Sequence, residues 1–326
     1  MPRRSTAVVA ATLMLLAGCA RPGSQPAVPG ASGPPSGTSA AEVHDAWTSC
    51  RTELGTATGF DPKPTEALSM PSLPAGFTPV AAVVCARAPQ KRAGGGEDLV
   101  LLEKRATSVA RLTQTLRLDD QPLTSDACTA DLVGVVWFAM LDAGGRWVRP
   151  GVATDTCGKP RIEVRNALDQ LDTTTVATTV LAEIESAEAA KSGCSQGWGE
   201  MVGISAAEQR GDKGAFDPPA AGMRLCIYTV PASEQGSVKP AGTFERGGVL
   251  TAEAWTDLRR RMLDAGPIVP CTAHAGRFAL FRPTGGGGGD VYLELDGCRR
   301  LMFDGPAGSV FRQADATLTD RVSAAV

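Results

Sequence analysis

The sequence predicts an α+β fold built from two tandem copies of one disulfide-stapled domain. Each copy is expected to hold an antiparallel sheet of about four to five strands and two helices, in the order α-β-β-α-β-β. Two observations predict this fold: the cysteine spacing repeats along the chain, and glycine-rich turns separate strand-like segments at matching places. The first predicted copy covers residues 39–171 and the second covers residues 172–326.

The repeat is clearest in the eight cysteines that follow Cys19. The last four lie 144, 141, 143 and 141 residues after the first four: Cys194 after Cys50, Cys226 after Cys85, Cys271 after Cys128 and Cys298 after Cys157. The segments beside the third cysteines agree, since CTAD begins at residue 128 and CTAH at residue 271. An even number of cysteines at repeated spacing is typical of a disulfide framework.

Each copy is predicted to open with a helix that buries its first cysteine. In the first copy Ser39 and Glu42 form a capping box, and Gly55 supplies the stop. Between them, apolar residues recur at helical spacing: Val43, Trp47, Cys50 and Leu54. In the second copy residues 174–191 are predicted to form the equivalent helix, with these residues on one face: Val176, Val180, Ile184 and Ala187.

Two strands and a second helix follow in each copy. The strands are predicted at residues 80–88 and 97–104 in the first copy, and at 222–230 and 242–250 in the second. The second helices show the i, i+3, i+7 stripe of an amphipathic helix. The stripe residues are Val109, Leu112 and Leu116 in the first copy and Trp255, Leu258 and Met262 in the second.

A hairpin closes each copy. The turns DAGG at 142–145 and TGGGGG at 284–289 separate alternating apolar segments, as in β-hairpins. Pro150 predicts that the last strand of the first hairpin lies at an edge or a bulge. A short fifth strand is expected at residues 161–164 and 300–303.

The hairpins also predict the disulfide pairing. The third and fourth cysteines of each copy flank one hairpin at similar distances from its turn, so Cys128 is expected to pair with Cys157 and Cys271 with Cys298. By elimination Cys50 pairs with Cys85 and Cys194 with Cys226. Four cysteines in a copy permit three connectivities, so the other two pairings remain open at this point.

The N-terminal segment indicates export and anchoring. Arg3 and Arg4 precede an apolar run over residues 7–16, which is about half of the roughly 20 residues that a membrane-spanning helix needs. The next residues, Leu16-Ala17-Gly18-Cys19, resemble the lipobox of bacterial lipoproteins, and the composition resembles an actinobacterial protein. The resemblance implies that residues 1–18 are a signal peptide and that Cys19 carries acyl chains such as palmitate, anchored at the extracytoplasmic face of the cell membrane. Residues 19–38, rich in Pro, Gly and Ser, are expected to be a disordered tether.

Composition excludes several classes of function. Without the signal peptide the chain holds 30 basic and 35 acidic residues, and this acidic balance argues against a nucleic-acid partner. The closest cysteines are 27 residues apart and there are only two histidines, so no metal site and no cofactor are expected. A thiol redox role would require a free cysteine with a low pKa.

The strongest sign of catalysis is GCSQG at residues 193–197, which fits the G-x-S-x-G nucleophile elbow with Ser195 at its centre. Asp257 or Asp264 and then His274 follow in the order of α/β-hydrolases. The predicted helix before Ser195 contradicts this reading, because an elbow follows a strand. The acidic pairs Glu97-Asp98 and Asp119-Asp120 are a second candidate, for glycan hydrolysis.

These observations predict a membrane-anchored binding or interaction module without a catalytic centre of its own. The expected partners are the membrane through the lipid anchor, together with a cell-wall component, an envelope protein or a small molecule. An envelope hydrolase that uses Ser195 or a carboxylate pair is the alternative.

Overall fold

The computed structural model describes residues 40–55, 64–124, 126–207, 217–220 and 222–326. Within these residues the chain is α+β, with two sheets of antiparallel strands, seven α-helices and four disulfide bonds. The expected signal peptide, the expected lipid site at Cys19, the tether and Ser39 lie outside the described residues.

The first sheet has six strands: β1 (Val43–Ala46), β2 (Ala81–Lys91), β3 (Glu97–Ala106), β4 (Trp137–Leu141), β5 (Arg146–Val148) and β6 (Thr174–Glu185). Their spatial order is β1-β5-β4-β2-β3-β6, and neighbouring strands are antiparallel. The helices of this part are α1 (Cys50–Leu54), α2 (Ala110–Thr115) and α3 (Ile162–Asp169), with a 3-10 turn at Glu66–Leu68.

The second sheet has seven strands: β7 (Gly197–Gly199), β8 (Met223–Thr229), β9 (Ala241–Val249), β10 (Arg277–Pro283), β11 (Asp290–Glu294), β12 (Arg300–Gly305) and β13 (Gly308–Gln313). Their spatial order is β13-β12-β11-β10-β8-β9-β7, again antiparallel. The helices of this part are α4 (Ala187–Ser192), α5 (Met201–Ala207), α6 (Ala252–Leu263) and α7 (Ala316–Ser323).

The two sheets have the same strand order at their centres. The order is β5-β4-β2-β3 in the first sheet and β11-β10-β8-β9 in the second. Along the chain, α2 follows β3 and α6 follows β9. Each of these helices contacts a later helix: α2 contacts α3, and α6 contacts α7. The sheets differ at their edges, since β12 and β13 extend the second sheet where β1 alone extends the first.

Both faces of the central strands β2, β4, β8 and β10 are largely buried. In the first sheet Val84 packs with α2 and α3 on one face, while Val83 and Cys85 pack with α1 on the other. In the second sheet Leu225 packs with α6 and α7, while Cys226 lies in the opposite cluster with α5. The helices therefore lie on both faces of each sheet. The alternation of side chains along β2 and β8 divides the core into these layers.

The disulfide bonds are Cys50–Cys85, Cys128–Cys157, Cys194–Cys226 and Cys271–Cys298. These are the four pairs expected from the sequence. Each closes a loop of between 27 and 35 residues, and loops of this size contribute about 3.5 kcal/mol per bridge in the chain-entropy model.

The predicted opening helices are wrong over most of their length. Residues 43–46 form a strand, and the short helix α1 begins only at Cys50, where Ser49 caps it by accepting the Thr52 N–H. Residues 174–185 form β6, which pairs with β3 although it lies beyond residue 172, where the second copy was expected to begin. The spacing of Val176 and Val180 misled the prediction, because residues four apart share one face in a strand as well as in a helix. The β-branched residues of this segment favour the strand.

Two smaller predictions also differ from the structure. Residues 161–164 were expected to be a strand, but α3 begins at Ile162. Pro150 does not mark an edge strand, since β5 ends at Val148 and β1 pairs along its outer side. The predicted strands β2, β3, β8 and β9, the hairpins β4–β5 and β10–β11, and the helix α6 are confirmed.

Candidate functional site

The residues of the predicted serine elbow occupy separate parts of the second sheet region. Ser195 is exposed in the link between α4 and β7, so a helix precedes it. Asp257 lies on α6, where its carboxylate bonds Arg260 and Arg261. Asp264 ends α6 as its C-cap, and His274 is exposed in the loop before β10. No hydrogen bond within the described residues joins Ser195, His274 and either aspartate into a triad.

Both predicted carboxylate pairs hold loops and strands in place. Asp98 forms a salt bridge of 2.7 Å with Arg92, which also bonds Glu183 of β6. Asp120 accepts the backbone N–H of Thr154 at 2.6 Å. Glu97 is the first residue of β3 and pairs with Lys91 in the ladder. Asp98 and Asp120 therefore serve to hold neighbouring segments of the chain together.

An aromatic cluster covers the first sheet near α1. Trp47 packs edge-on against Trp147 with ring centroids 5.2 Å apart, and His44 stacks on Trp147 at 4.3 Å. Glu103 accepts the indole N–H of Trp47 at 2.9 Å and the Cys50 N–H at 2.8 Å. These contacts fasten β1 and α1 onto the sheet, so the first histidine has a structural place.

A cavity of about 420 Å³ lies beside the second sheet. Its floor consists of buried or mostly buried residues: Glu200, Pro240, Ala275 and Arg300. Its rim consists of two exposed loops, residues 235–237 and 271–274. The volume lies in the range of small-molecule sites, and the cavity combines an open mouth with charged groups at depth.

Glu200 is the buried acid of this floor, with 4% of its surface exposed. Its Oε1 accepts the Val202 N–H at 3.0 Å and its Oε2 accepts the Gly203 N–H at 2.8 Å, so the carboxyl caps the first turn of α5. Burial, followed by the charge of Glu294, raises the pKa of Glu200 to about 7. A substantial fraction of Glu200 is therefore protonated at neutral pH.

Glu294 and Arg300 form an ion pair under the floor. Glu294 is fully buried, and the Arg300 Nε lies 3.1 and 3.0 Å from its two carboxylate oxygens. The backbone N–H of Arg300 donates to the same carboxylate at 2.8 Å. The hydrogen bonds of Arg300 thus go to Glu294, while its charge also acts on Glu200 and partly offsets the rise in the Glu200 pKa. Among the described residues none forms an ion pair with Glu200.

The rim is fastened to the sheet by covalent and polar contacts. The Cys271–Cys298 bond ties the loop of residues 271–274 to a position two residues before Arg300. Asp296 accepts the N–H groups of Gly276 at 2.7 Å and Arg277 at 3.2 Å. Gly236, at a φ of 77°, lies so close to the His274 ring that a Cβ there would sit 2.8 Å from its Nε2. The mouth is consequently held in a defined shape.

Sequence reasoning identified His274 but missed Glu200 and the Glu294–Arg300 pair. Glu200 belongs to no motif, and its burial depends on α5 packing against β11 and β12. Glu294 offered a signal, because it is a charged residue within a strand whose neighbours Tyr292 and Leu293 are buried. The three consecutive arginines of α6, Arg259, Arg260 and Arg261, bond Asp217 or Asp257 and are not among the cavity-lining residues.

Comparisons with protein-family models, with curated proteins and with solved structures find no match to this chain. Within the described residues, no helix has the length and apolar character needed to cross a membrane. The same residues contain no group of three or more His, Cys, Asp or Glu side chains that could hold a metal ion.

Proposed function

We propose that this chain is an exported lipoprotein whose folded part is a binding module, with the cavity around Glu200 as its ligand site. The observation that carries the proposal is a buried carboxyl without an ion-pair partner among the described residues on the floor of a cavity of about 420 Å³. A buried group with a strongly raised pKa in a concave site costs stability when it ionises, and such groups concentrate at functional sites. A purely structural cap of α5 would not need burial beside a second carboxylate.

Binding fits the site better than hydrolysis. Acid–base hydrolysis of a glycan needs two carboxyls that both reach the substrate. Glu294 is fully buried, and Arg300 bonds both of its oxygens. Of the two carboxyls Glu200 and Glu294, only that of Glu200 therefore lines the cavity. Ser195, the alternative nucleophile, is not among the cavity-lining residues.

The proposal includes two tandem copies, residues 39–171 and 172–326, with β6 of the second copy pairing with β3 of the first. The equal strand order of the two quartets supports it, as does the matching position of the four disulfides. The second copy carries the cavity. Cys19 carries the lipid, and the tether over residues 19–38 lets the folded part reach a wall component, an envelope protein or a small molecule at the extracytoplasmic face.

The ligand site can be tested with a pair of matched variants. Ala273 is an exposed rim residue two positions after Cys271, and Ala130 is the exposed residue two positions after Cys128. Ala273→Trp places an indole at the mouth of the cavity, whereas Ala130→Trp adds the same group to the first hairpin. Ligand-observed NMR on the detergent-solubilised full chain, with a small-molecule fragment set, is expected to show fragments lost in Ala273→Trp and kept in Ala130→Trp. Equal binding by both variants would contradict the assignment of the site.

The anchor and the alternative activity need separate measurements. Incorporation of an alkyne-labelled palmitate into the chain in a bacterial host is expected, and Cys19→Ser should abolish it. A serine-directed phosphonate that labels the wild-type chain but not Ser195→Ala would instead favour the hydrolase.

A further inference from the structure

The charges around the cavity do not balance. Arg300 is neutralised by Glu294, which it binds through two oxygens. Of the other lining residues only Glu200 and His274 can carry a charge, and His274 stands at the exposed rim. When Glu200 ionises, the described residues thus supply two backbone N–H groups for its carboxylate but no cation in contact with it.

The carboxylate also keeps unused acceptor capacity. Two carboxylate oxygens offer about four acceptor positions, and the N–H groups of Val202 and Gly203 occupy two of them. A positively charged donor in the cavity would use the remaining positions and offset the repulsion from Glu294. A carboxylate ligand would meet the opposite situation, because Glu200, Glu294 and Arg300 together carry a net negative charge when Glu200 is ionised.

We infer that the cavity binds a small molecule carrying a protonated amine, which pairs with the Glu200 carboxylate on the floor. This inference rests on the proposed function, namely that the cavity is a ligand site. The rim offers neutral hydrogen-bonding groups for the rest of the ligand, from Gln235, Ser237 and Thr272. The ligand class is therefore a small polar amine.

Amine binding must be coupled to loss of the Glu200 proton. With a pKa of about 7, Glu200 is about half protonated at pH 7, so binding releases up to about half a proton there. The groups facing Glu200 are Glu294 on β11, Arg300 on β12 and His274 on the rim. Affinity falls as the pH drops, by about 100-fold between pH 9 and pH 5 for an amine that stays protonated.

The test uses probes that differ only in one group: small primary amines, the corresponding alcohols and the corresponding carboxylates. Binding to the solubilised full chain is measured by ligand-observed NMR, and proton release by calorimetry in two buffers of different ionisation enthalpy. We expect amines to bind, Ala273→Trp to remove the binding, and Glu200→Gln to weaken it at least tenfold and abolish proton release. Glu234→Gln, an exposed charge removed outside the cavity lining, is the matched control and should change neither quantity.

The outcomes separate the two proposals. Suppose that alcohols or carboxylates bind the wild-type chain in preference to amines, and that Ala273→Trp removes this binding. The amine inference would then be overturned, and the cavity would remain the ligand site. Amines that bind without proton release and equally well to Glu200→Gln would also overturn it. If no probe is lost in Ala273→Trp, both the inference and the proposed ligand site are overturned. A His274→Gln variant that keeps the pH dependence assigns it to Glu200.

Discussion

The two hairpins closed by Cys128–Cys157 and Cys271–Cys298 both carry a cation at one matching position but differ at another, where only the first has an acid. Three residues after the first cysteine stands Asp131 in one hairpin and His274 in the other. Two residues after the second cysteine stands Lys159 in one and Arg300 in the other. Asp131 and Lys159 pair with each other, whereas His274 and Arg300 both line the cavity over Glu200.

Two hairpins with similarly placed disulfides thus present different surfaces. In the first hairpin the acid and the base neutralise each other at the surface, and the contact with Lys159 lowers the pKa of Asp131 to about 2. In the second hairpin the arginine bonds the buried Glu294, and the histidine lies at the exposed rim of the cavity. The two hairpins share the position of their disulfide, but Lys159 bonds the surface residue Asp131, whereas Arg300 bonds the buried Glu294.

The largest loss of stability is expected when the buried ion pair Glu294–Arg300, rather than the surface pair Asp131–Lys159, is broken. Glu294→Gln leaves the guanidinium of Arg300 mostly buried without its counter-charge, and breaking a buried pair in this way costs about 3–5 kcal/mol. The free energy of unfolding, measured by denaturant titration at pH 7, should fall by this amount. A loss well below 1 kcal/mol would show that the pair is not buried as described.

Removal of each hairpin disulfide compares the two scaffolds directly. The double variants Cys128→Ser/Cys157→Ser and Cys271→Ser/Cys298→Ser open loops of 29 and 27 residues, so each should lose about 3.5 kcal/mol of stability. Only the second variant should weaken ligand binding, because that bond fixes the rim. Equal loss of binding in both variants, measured where both remain folded, would break the comparison.

The sequence predicted the parts of this comparison that depend on local pattern. The turns, the alternating strands and the difference between Asp131 and His274 were visible in the sequence around the cysteines, and the disulfide pairs followed from the hairpins. The cavity was not visible in the sequence, because it depends on the bond between Arg300 and Glu294 and on the packing of α5, which brings Glu200 against β11 and β12. Such placement is decided by contacts between distant segments, which a spacing pattern does not encode.

Glu200→Gln should alter how stability depends on pH. The pKa of Glu200 is raised above its ordinary value of 4.5 to about 7, so ionisation disfavours the folded state and wild-type stability declines as the pH rises from 4.5 to 7. The variant lacks this decline. Its unfolding free energy relative to wild type should therefore be more favourable at pH 8 than at pH 4, by about 3 kcal/mol.

The lost cap provides the control for that measurement. A glutamine oxygen can accept only part of the hydrogen bonding that the carboxylate gives to α5, which costs about 1 kcal/mol at every pH. The difference between the two pH values, rather than either value alone, thus reports the buried charge. A pH-independent difference would show that the pKa of Glu200 is not raised.

The smallest effect is expected at Asp131 in the first hairpin, where the shift in pKa has the opposite sign to that of Glu200. The pKa of Asp131 is lowered from 3.8 to about 2 by its hydrogen bond with Lys159, so the pair stabilises the fold above pH 3.8 and this contribution disappears as the pH falls through 2. Asp131→Asn should slightly lower the unfolding free energy at pH 6, and the loss should shrink in 1 M salt because the carboxyl is 59% exposed. The stability gain of Glu200→Gln at pH 8 should resist the same salt, since a buried charge is poorly screened. If salt removes both effects equally, Glu200 is solvated, and the contrast between the buried Glu200 and the exposed Asp131 fails.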